Sequence, residues 1–115
     1  MSSSKMARKN VDSTRTGKQK MSELIENLRG LGISYYGDES RILIWVMVKS
    51  VTLNSVPVMV LIQDDAIIKI EDLFIAKKIT IVKAGEKREI LLGKDIQIRL
   101  ESPYLFIDYQ PEPSD

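Results

Sequence analysis

Residues 41–70 read RILIWVMVKSVTLNSVPVMVLIQDDAIIKI, and this stretch decides the fold class. Its core is the run Ile42-Leu43-Ile44-Trp45-Val46-Met47-Val48, seven apolar residues in a row. Seven is far short of the roughly 20 that a membrane-spanning helix needs. The β-branched content and bounding turn residues instead predict a strand. An unbroken apolar strand is usually covered on both faces, which places Trp45 in the core. Val51 to Leu53 extend it toward a turn at Asn54-Ser55. Pro57 then heads a second apolar run, Val58 to Ile62, a position where its missing N–H is tolerated. Asp64-Asp65 supplies a tight turn into Ala66-Ile67-Ile68-Lys69-Ile70, so the two runs form a hairpin.

The same pattern continues downstream. Ile79-Thr80-Ile81-Val82 and Glu89-Ile90-Leu91-Leu92 flank Ala84-Gly85-Glu86-Lys87, a second hairpin. Ile96, Ile98 and Leu100 alternate with Gln97, Arg99 and Glu101, the signature of a half-exposed strand. Ser102-Pro103 breaks it, and Tyr104 to Tyr109 make a last strand. Residues 71–76 fit either a helical turn or a strand continuation. Upstream, Met21, Leu24, Ile25, Leu28 and Leu31 recur at helical spacing, with Ser22 as the expected N-cap and Gly30 and Gly32 as the stop. Strands that never alternate with helices argue against a parallel doubly wound sheet. The expected fold is therefore α+β: one N-terminal amphipathic helix packed on a mainly antiparallel, curled sheet of six or seven strands, with a small β-barrel as the alternative. The expected organisation is a disordered basic arm over 1–20, a single domain over 21–110 and a frayed acidic end over 111–115.

Charge is distributed unevenly. Lys5, Arg8, Lys9, Arg15, Lys18 and Lys20 stand against Asp12 alone in the first twenty residues, a local charge of +5. The chain as a whole is +1, so the remainder carries −4. A polycationic leader on a mildly acidic body suggests contact with a polyanion. Six such cations on duplex DNA would give a log–log salt slope near about −5, roughly a thousandfold loss between 50 and 200 mM salt. The competing reading is a solubilising extension with no partner. A second basic cluster includes Lys83, Lys87 and Arg88 near the tip of the second hairpin. Leader and tip together would make an electropositive stripe, although Glu86 and Glu89 interleave with it.

Two absences narrow the chemistry. The 115 residues contain no Cys and no His. A disulfide framework, a thiolate nucleophile, sulfur-ligated metal and an imidazole base are thereby excluded. The three Asn residues and the wealth of Ile, Val, Lys and Glu resemble a thermophile's composition. The glycines are dispersed at turns and ends, so no phosphate-binding loop is set up, and no cofactor is expected. Carboxylate pairs at Asp38-Glu39, Asp64-Asp65 and Glu71-Asp72 allow a magnesium-dependent nuclease only if Asp64, Asp65 and Glu71 converge around Lys69. Adjacent strand residues point to opposite faces, so no metal site is expected.

Aromatic residues offer another route to nucleic acid. Tyr35, Tyr36, Tyr104, Phe106 and Tyr109 could stack bases, and Tyr104 and Phe106 share one strand face. The competing reading makes Phe106 core with the tyrosines at its rim. The helix, Leu31-Gly32-Ile33-Ser34-Tyr35 and the meander that follows resemble small adaptor folds of the secretion-chaperone kind, which implies a protein-interaction role.

The sequence thus leads to a non-enzymatic nucleic-acid-binding protein, architectural or virion-associated, contacting DNA or RNA phosphates without sequence preference through its basic arm. The alternative is an adaptor or small chaperone-like module acting through a sheet edge or helix groove. Exposed edges and the apolar 42–62 region predict a homodimer. Lacking an apolar leader or long apolar run, the chain is expected in the cytoplasm or a virion, neither secreted nor membrane-spanning.

Overall fold

The computed structural model describes residues 17–53 and 55–110. Among these residues are one helix, α1 (Gly17–Gly30), and nine strands: β1 (Tyr36–Gly37), β2 (Arg41–Trp45), β3 (Met47–Leu53), β4 (Pro57–Gln63), β5 (Ala66–Asp72), β6 (Lys77–Lys83), β7 (Glu86–Leu92), β8 (Ile96–Glu101) and β9 (Tyr104–Tyr109). The strands form two open antiparallel sheets and no barrel. One has four strands in the order β1-β2-β9-β8, the other is the five-stranded meander β3-β4-β5-β6-β7. The α+β class holds, and the single curled sheet of six or seven strands is replaced by two sheets.

The difference comes from the seven-residue run. It is two strands, not one. Val46 is the switch point: β2 ends at Trp45 in the four-stranded sheet, and β3 begins at Met47 as an edge of the five-stranded sheet. The Val46 N–H donates to the Pro103 carbonyl at 2.8 Å, which holds the switch against the β8–β9 turn. The chain returns to the first sheet through residues 93–95. The two hairpins stand as expected, with Ile67 opposite Ile62 around Asp64-Asp65 and Ile79 opposite Ile90 around Ala84-Gly85. The 71–76 segment resolves as the end of β5 followed by a turn.

The core lies between the inner faces of the two sheets. Ile42, Ile44, Leu105, Ile107 and Ile96 from the first sheet and Leu61, Ile68, Ile70, Ile79, Ile81, Ile90 and Leu92 from the second are all buried. The helix adds Met21, Leu24 and Leu28 to the same cluster. Each is fully buried, so α1 lays its apolar stripe across the sandwich, mainly against β7 and β9.

The helix begins at Gly17, five residues before the expected cap at Ser22, so Lys18 and Lys20 belong to it. Its first N–H is satisfied from a distant strand connection, with Gly17 N donating to Asp95 Oδ2 at 3.0 Å. A carboxylate at this end also suits the positive pole of the helix dipole. A Cβ at position 17 would collide with Asp95 and Tyr109, so only glycine lets the chain come this close. Ser22 is not the cap. Its hydroxyl lies inside the helix and donates to Glu39. At the other end, Gly32 adopts φ +72°, Gly32 N bonds to Arg29 O and Ile33 N to Leu28 O. This is the glycine stop the sequence foretold, closed by contact between buried Leu28 and Ile33.

Trp45 departs from expectation. It is 63% exposed, on the outer face of the four-stranded sheet. Leu24→Ala is therefore expected to cost about 2–5 kcal/mol of stability, as for other buried leucines. Trp45→Ala is expected to cost less than about 1 kcal/mol despite the larger side chain. Urea unfolding of the two variants measures both values.

Candidate functional site

The sheet registers define the outer face of the four-stranded sheet row by row, because directly opposed residues share a face. Tyr36 lies opposite Leu43, Leu43 opposite Phe106, and Phe106 opposite Arg99. Trp45 lies opposite Tyr104, which faces Glu101. Arg41 lies opposite Asp108, which faces Gln97. Four aromatic side chains thus gather on one surface: Tyr36, Trp45, Tyr104 and Phe106. Tyr36 is 66% exposed and Tyr104 43%. The Tyr104 and Phe106 rings are 6.4 Å apart and tilted by 51°, side by side as their shared strand face requires.

Phe106 is half-buried but not core. Its ring lies beneath the Arg99 guanidinium at 4.5 Å, with Arg41 at 5.9 Å. Both cations are also held by carboxylates. Arg41 Nε donates to Asp108 Oδ1 at 2.8 Å, Arg99 Nε lies 2.7 Å from Glu101 Oε2, and Arg99 Nη1 lies 3.8 Å from Asp108 Oδ2. Asp108 is buried and serves two arginines, so this network fixes the centre of the face. Tyr35 and Tyr109 belong elsewhere, packed against the core cluster.

Beyond Trp45 the surface turns a corner. Ser34, Tyr36, Trp45, Met47, Ile62 and Gln63 surround an open hollow of about 470 Å³. Gln63 clamps this corner. Its Oε1 accepts from Ser34 N at 2.8 Å, and its Nε2 donates to the carbonyls of Ser34 at 3.0 Å and Trp45 at 3.1 Å. The backbone carrying Trp45 is thereby fixed from both sheets.

The basic residues singled out in the sequence are distributed differently. Lys5, Arg8, Lys9 and Arg15 lie outside the described residues. Lys18 and Lys20 ride the first turns of α1, where Lys20 lies 3.7 Å from Glu23. Lys83, Lys87 and Arg88 do meet at the β6–β7 tip, but each already has an acidic neighbour. Lys83 donates to the Gly32 carbonyl and lies 3.9 Å from Asp65. Lys87 lies 3.4 Å from Glu89, and Arg88 lies 2.8 Å from Glu86. Lys87 also points to the opposite face of the hairpin from Arg88 and Lys83. Because Gly32 follows the C-terminal end of α1, the tip and Lys18 are separated by a helix length of roughly 20 Å. No continuous stripe joins them through the described residues.

Hydrogen bonding from Lys87 and the charge of Lys78 hold the Glu89 carboxyl below its ordinary value. The attraction is present above the ordinary carboxylate range and is lost as pH falls through the lowered value. The acidic pairs do not converge either. Asp64 and Asp65 sit at one end of β5 and Glu71 near the other, six residues from Asp65, about 20 Å along a strand. Among the described residues no group of three or more carboxylates is placed to hold a metal ion.

Comparison of the chain with protein-family models, curated proteins and solved structures returns no significant match. No helix among the described residues is long and apolar enough to cross a membrane.

The sequence reading missed Trp45, Arg41 and Gln63. Inside an all-apolar run Trp45 carries no parity signal of its own, and only Arg41 at the start of the same strand marks the outer face. Gln63 carries no signal of its own, since its role depends on a loop 29 residues away. Asp108→Ala is expected to cost about 1–3 kcal/mol, because it leaves two arginines without their buried acceptor. Glu101→Ala removes an exposed partner and is expected to cost less than about 0.5 kcal/mol in the same denaturation assay.

Proposed function

We propose that this protein is a non-enzymatic nucleic-acid-binding protein that holds phosphates through Lys5, Arg8, Lys9, Arg15, Lys18 and Lys20. The observation that carries this reading is the segregation of charge. Six basic residues stand against one acid in the first twenty positions, while each basic residue of the β6–β7 tip faces a carboxylate of its own domain. Cations that engage phosphates release the counterions condensed on a nucleic acid, and this supplies affinity without sequence preference. Lys83, Lys87 and Arg88 play a lesser part in this reading. An architectural or virion-associated role suits a small module of this kind.

The test is binding of a labelled oligonucleotide, followed by anisotropy across a salt series. With all six cations engaged on a single strand the log–log slope is about −4, a loss of a few hundredfold between 50 and 200 mM salt. Changing Lys5, Arg8, Lys9 and Arg15 to Ala in the full chain brings the slope to about −1.5. Identical slopes for the two proteins would contradict the reading.

A specific observation favours a second reading, a protein-interaction module that pairs with a second copy of itself. Phe74 is 98% exposed and adopts φ +70°, in a loop beside Ile75, also apolar and 74% exposed. A bulky residue in the left-handed region stores strain, and among the described residues nothing covers this one. Ser55, Val56, Pro57, Asp72 and Leu73 line a hollow of about 490 Å³ with Phe74. Edge pairing through β3 is a poorer route to the same dimer. Its ladder is interrupted between Val48 and Ser50, and Lys49 sits exposed at the irregularity, both devices that blunt an edge. Light scattering should give twice the 13.1 kDa chain mass, with Phe74→Asp returning it to a single chain. A single-chain mass for the unaltered protein at micromolar concentration would contradict the dimer.

A further inference from the structure

The outer face of the four-stranded sheet has a use that the basic segment alone does not explain. We infer that Trp45 and Tyr104, with Tyr36 beside them, form a stacking platform for the unpaired bases of a single-stranded nucleic acid. The inference rests on the proposed function above, since the basic segment supplies the phosphate contacts, and it names single strands as the preferred ligand.

Three observations carry it. First, the aromatics are exposed against the ordinary preference for burying them. Trp45 is 63% exposed and lies directly across from Tyr104, which puts their Cβ atoms about 5 Å apart on one face. Tyr36 lies on the next strand out, opposite Leu43, two residues from Trp45. Such a row offers successive π-faces, and bases stack on them whatever their sequence.

Second, the platform is rigid. Gln63 bonds the Trp45 carbonyl, Val46 is tied to Pro103, and the Arg41–Asp108–Arg99 network braces the strand beneath Phe106. Arg99 already covers the Phe106 ring, so Phe106 serves as support and the free stacking surface falls on Trp45, Tyr104 and Tyr36. The face itself is electrically balanced, with Arg41 and Arg99 matched by Asp108 and Glu101. It therefore gains little from phosphates, and stacking is what it has to offer.

Third, the basic segment can reach it. Gly17 is anchored at Asp95, and Asp95 O accepts from Gln110 N at the end of β9, the strand that carries Tyr104 and Phe106. Tyr104 lies five residues along that strand from Tyr109, roughly 17 Å away. Sixteen residues precede Gly17 and can extend up to about 50 Å, so their cations can lie along a strand that crosses the whole face. A duplex keeps its π-faces inside its own stack and cannot use such a platform.

Trp45 is the only tryptophan in the chain, so its emission reports the platform directly. The full-length protein is titrated at low salt with labelled oligo(dT), with a duplex of equal length and with inorganic polyphosphate, following anisotropy of the nucleic acids and Trp45 fluorescence together. Oligo(dT) should bind and quench the emission, and polyphosphate should leave it unchanged. The single strand should bind more tightly than the duplex. Trp45→Ala should weaken oligo(dT) binding by about 5- to 100-fold, with Trp45→Phe recovering part of the loss. Tyr104→Ala should weaken binding while keeping the reporter. Oligo(dT) binding without quenching, and unchanged in Trp45→Ala, would overturn the platform and leave the phosphate-binding segment standing. Absence of any binding to oligo(dT) and duplex would overturn both. A homodimer that Trp45→Ala dissociates would assign the face to a second copy instead, and would equally overturn the platform.

Discussion

The alternation of side chains along β2 is the constraint on which the rest of the surface depends. Ile42 and Ile44 of β2, and Val46 at the switch, point inward and are buried, so Arg41, Leu43 and Trp45 must point outward. The inward set packs against the five-stranded sheet and the helix. Moving the strand by one residue would bury Trp45 but expel three aliphatic side chains from the core. The cost of that exchange fixes the register, and with it the aromatic character of the outer face. Hydrogen bonds at the switch point reinforce it, since the peptide joining Trp45 to Val46 is held at its carbonyl by Gln63 and at its N–H by Pro103.

Polar interactions divide along the same lines. On the folded body, seven cations have an acidic neighbour, among them Arg41 and Arg99 with Asp108 and Glu101, Lys87 and Lys78 with Glu89, and Arg88 with Glu86. Exposed pairs of this kind add little to stability, but they remove charge that would otherwise attract a polyanion. The first twenty residues hold six cations and one acid, with Lys20 placed 3.7 Å from Glu23. On the proposed reading, the body would offer stacking surface and the leader charge, complementary means of holding one ligand.

Much of the fold was legible because its hairpins announce themselves. The Asp64-Asp65 and Ala84-Gly85 turns lie between runs whose ends match in length, and β9 spans the residues from Tyr104 to Tyr109 that the Ser102-Pro103 break predicts. The helix stop was legible too, since Gly32 is needed for its positive φ. The Ile42–Val48 run misled because alternation leaves no trace when both faces are apolar. Nothing in seven consecutive hydrophobic residues marks which parity faces the core, or that the chain changes sheets at Val46. The helix start escaped for a different reason: the Gly17 N–H bonds to Asp95, 78 positions away, and a contact at that separation leaves no local signal. Of the candidate site, the shared face of Tyr104 and Phe106 was readable from one strand. Its completion by Trp45, Tyr36 and the two arginines required the pairing of β1, β2, β8 and β9.

The most direct test of this account concerns the ligand-free protein. The emission maximum of Trp45 and its quenching by acrylamide report whether the lone indole stands in water or in the core. The structure predicts a red-shifted emission that acrylamide quenches readily in the native state, changing little on unfolding in urea. A blue-shifted emission protected from acrylamide until the protein unfolds would place Trp45 inside, reverse the parity of β2 and contradict the outer face built on it.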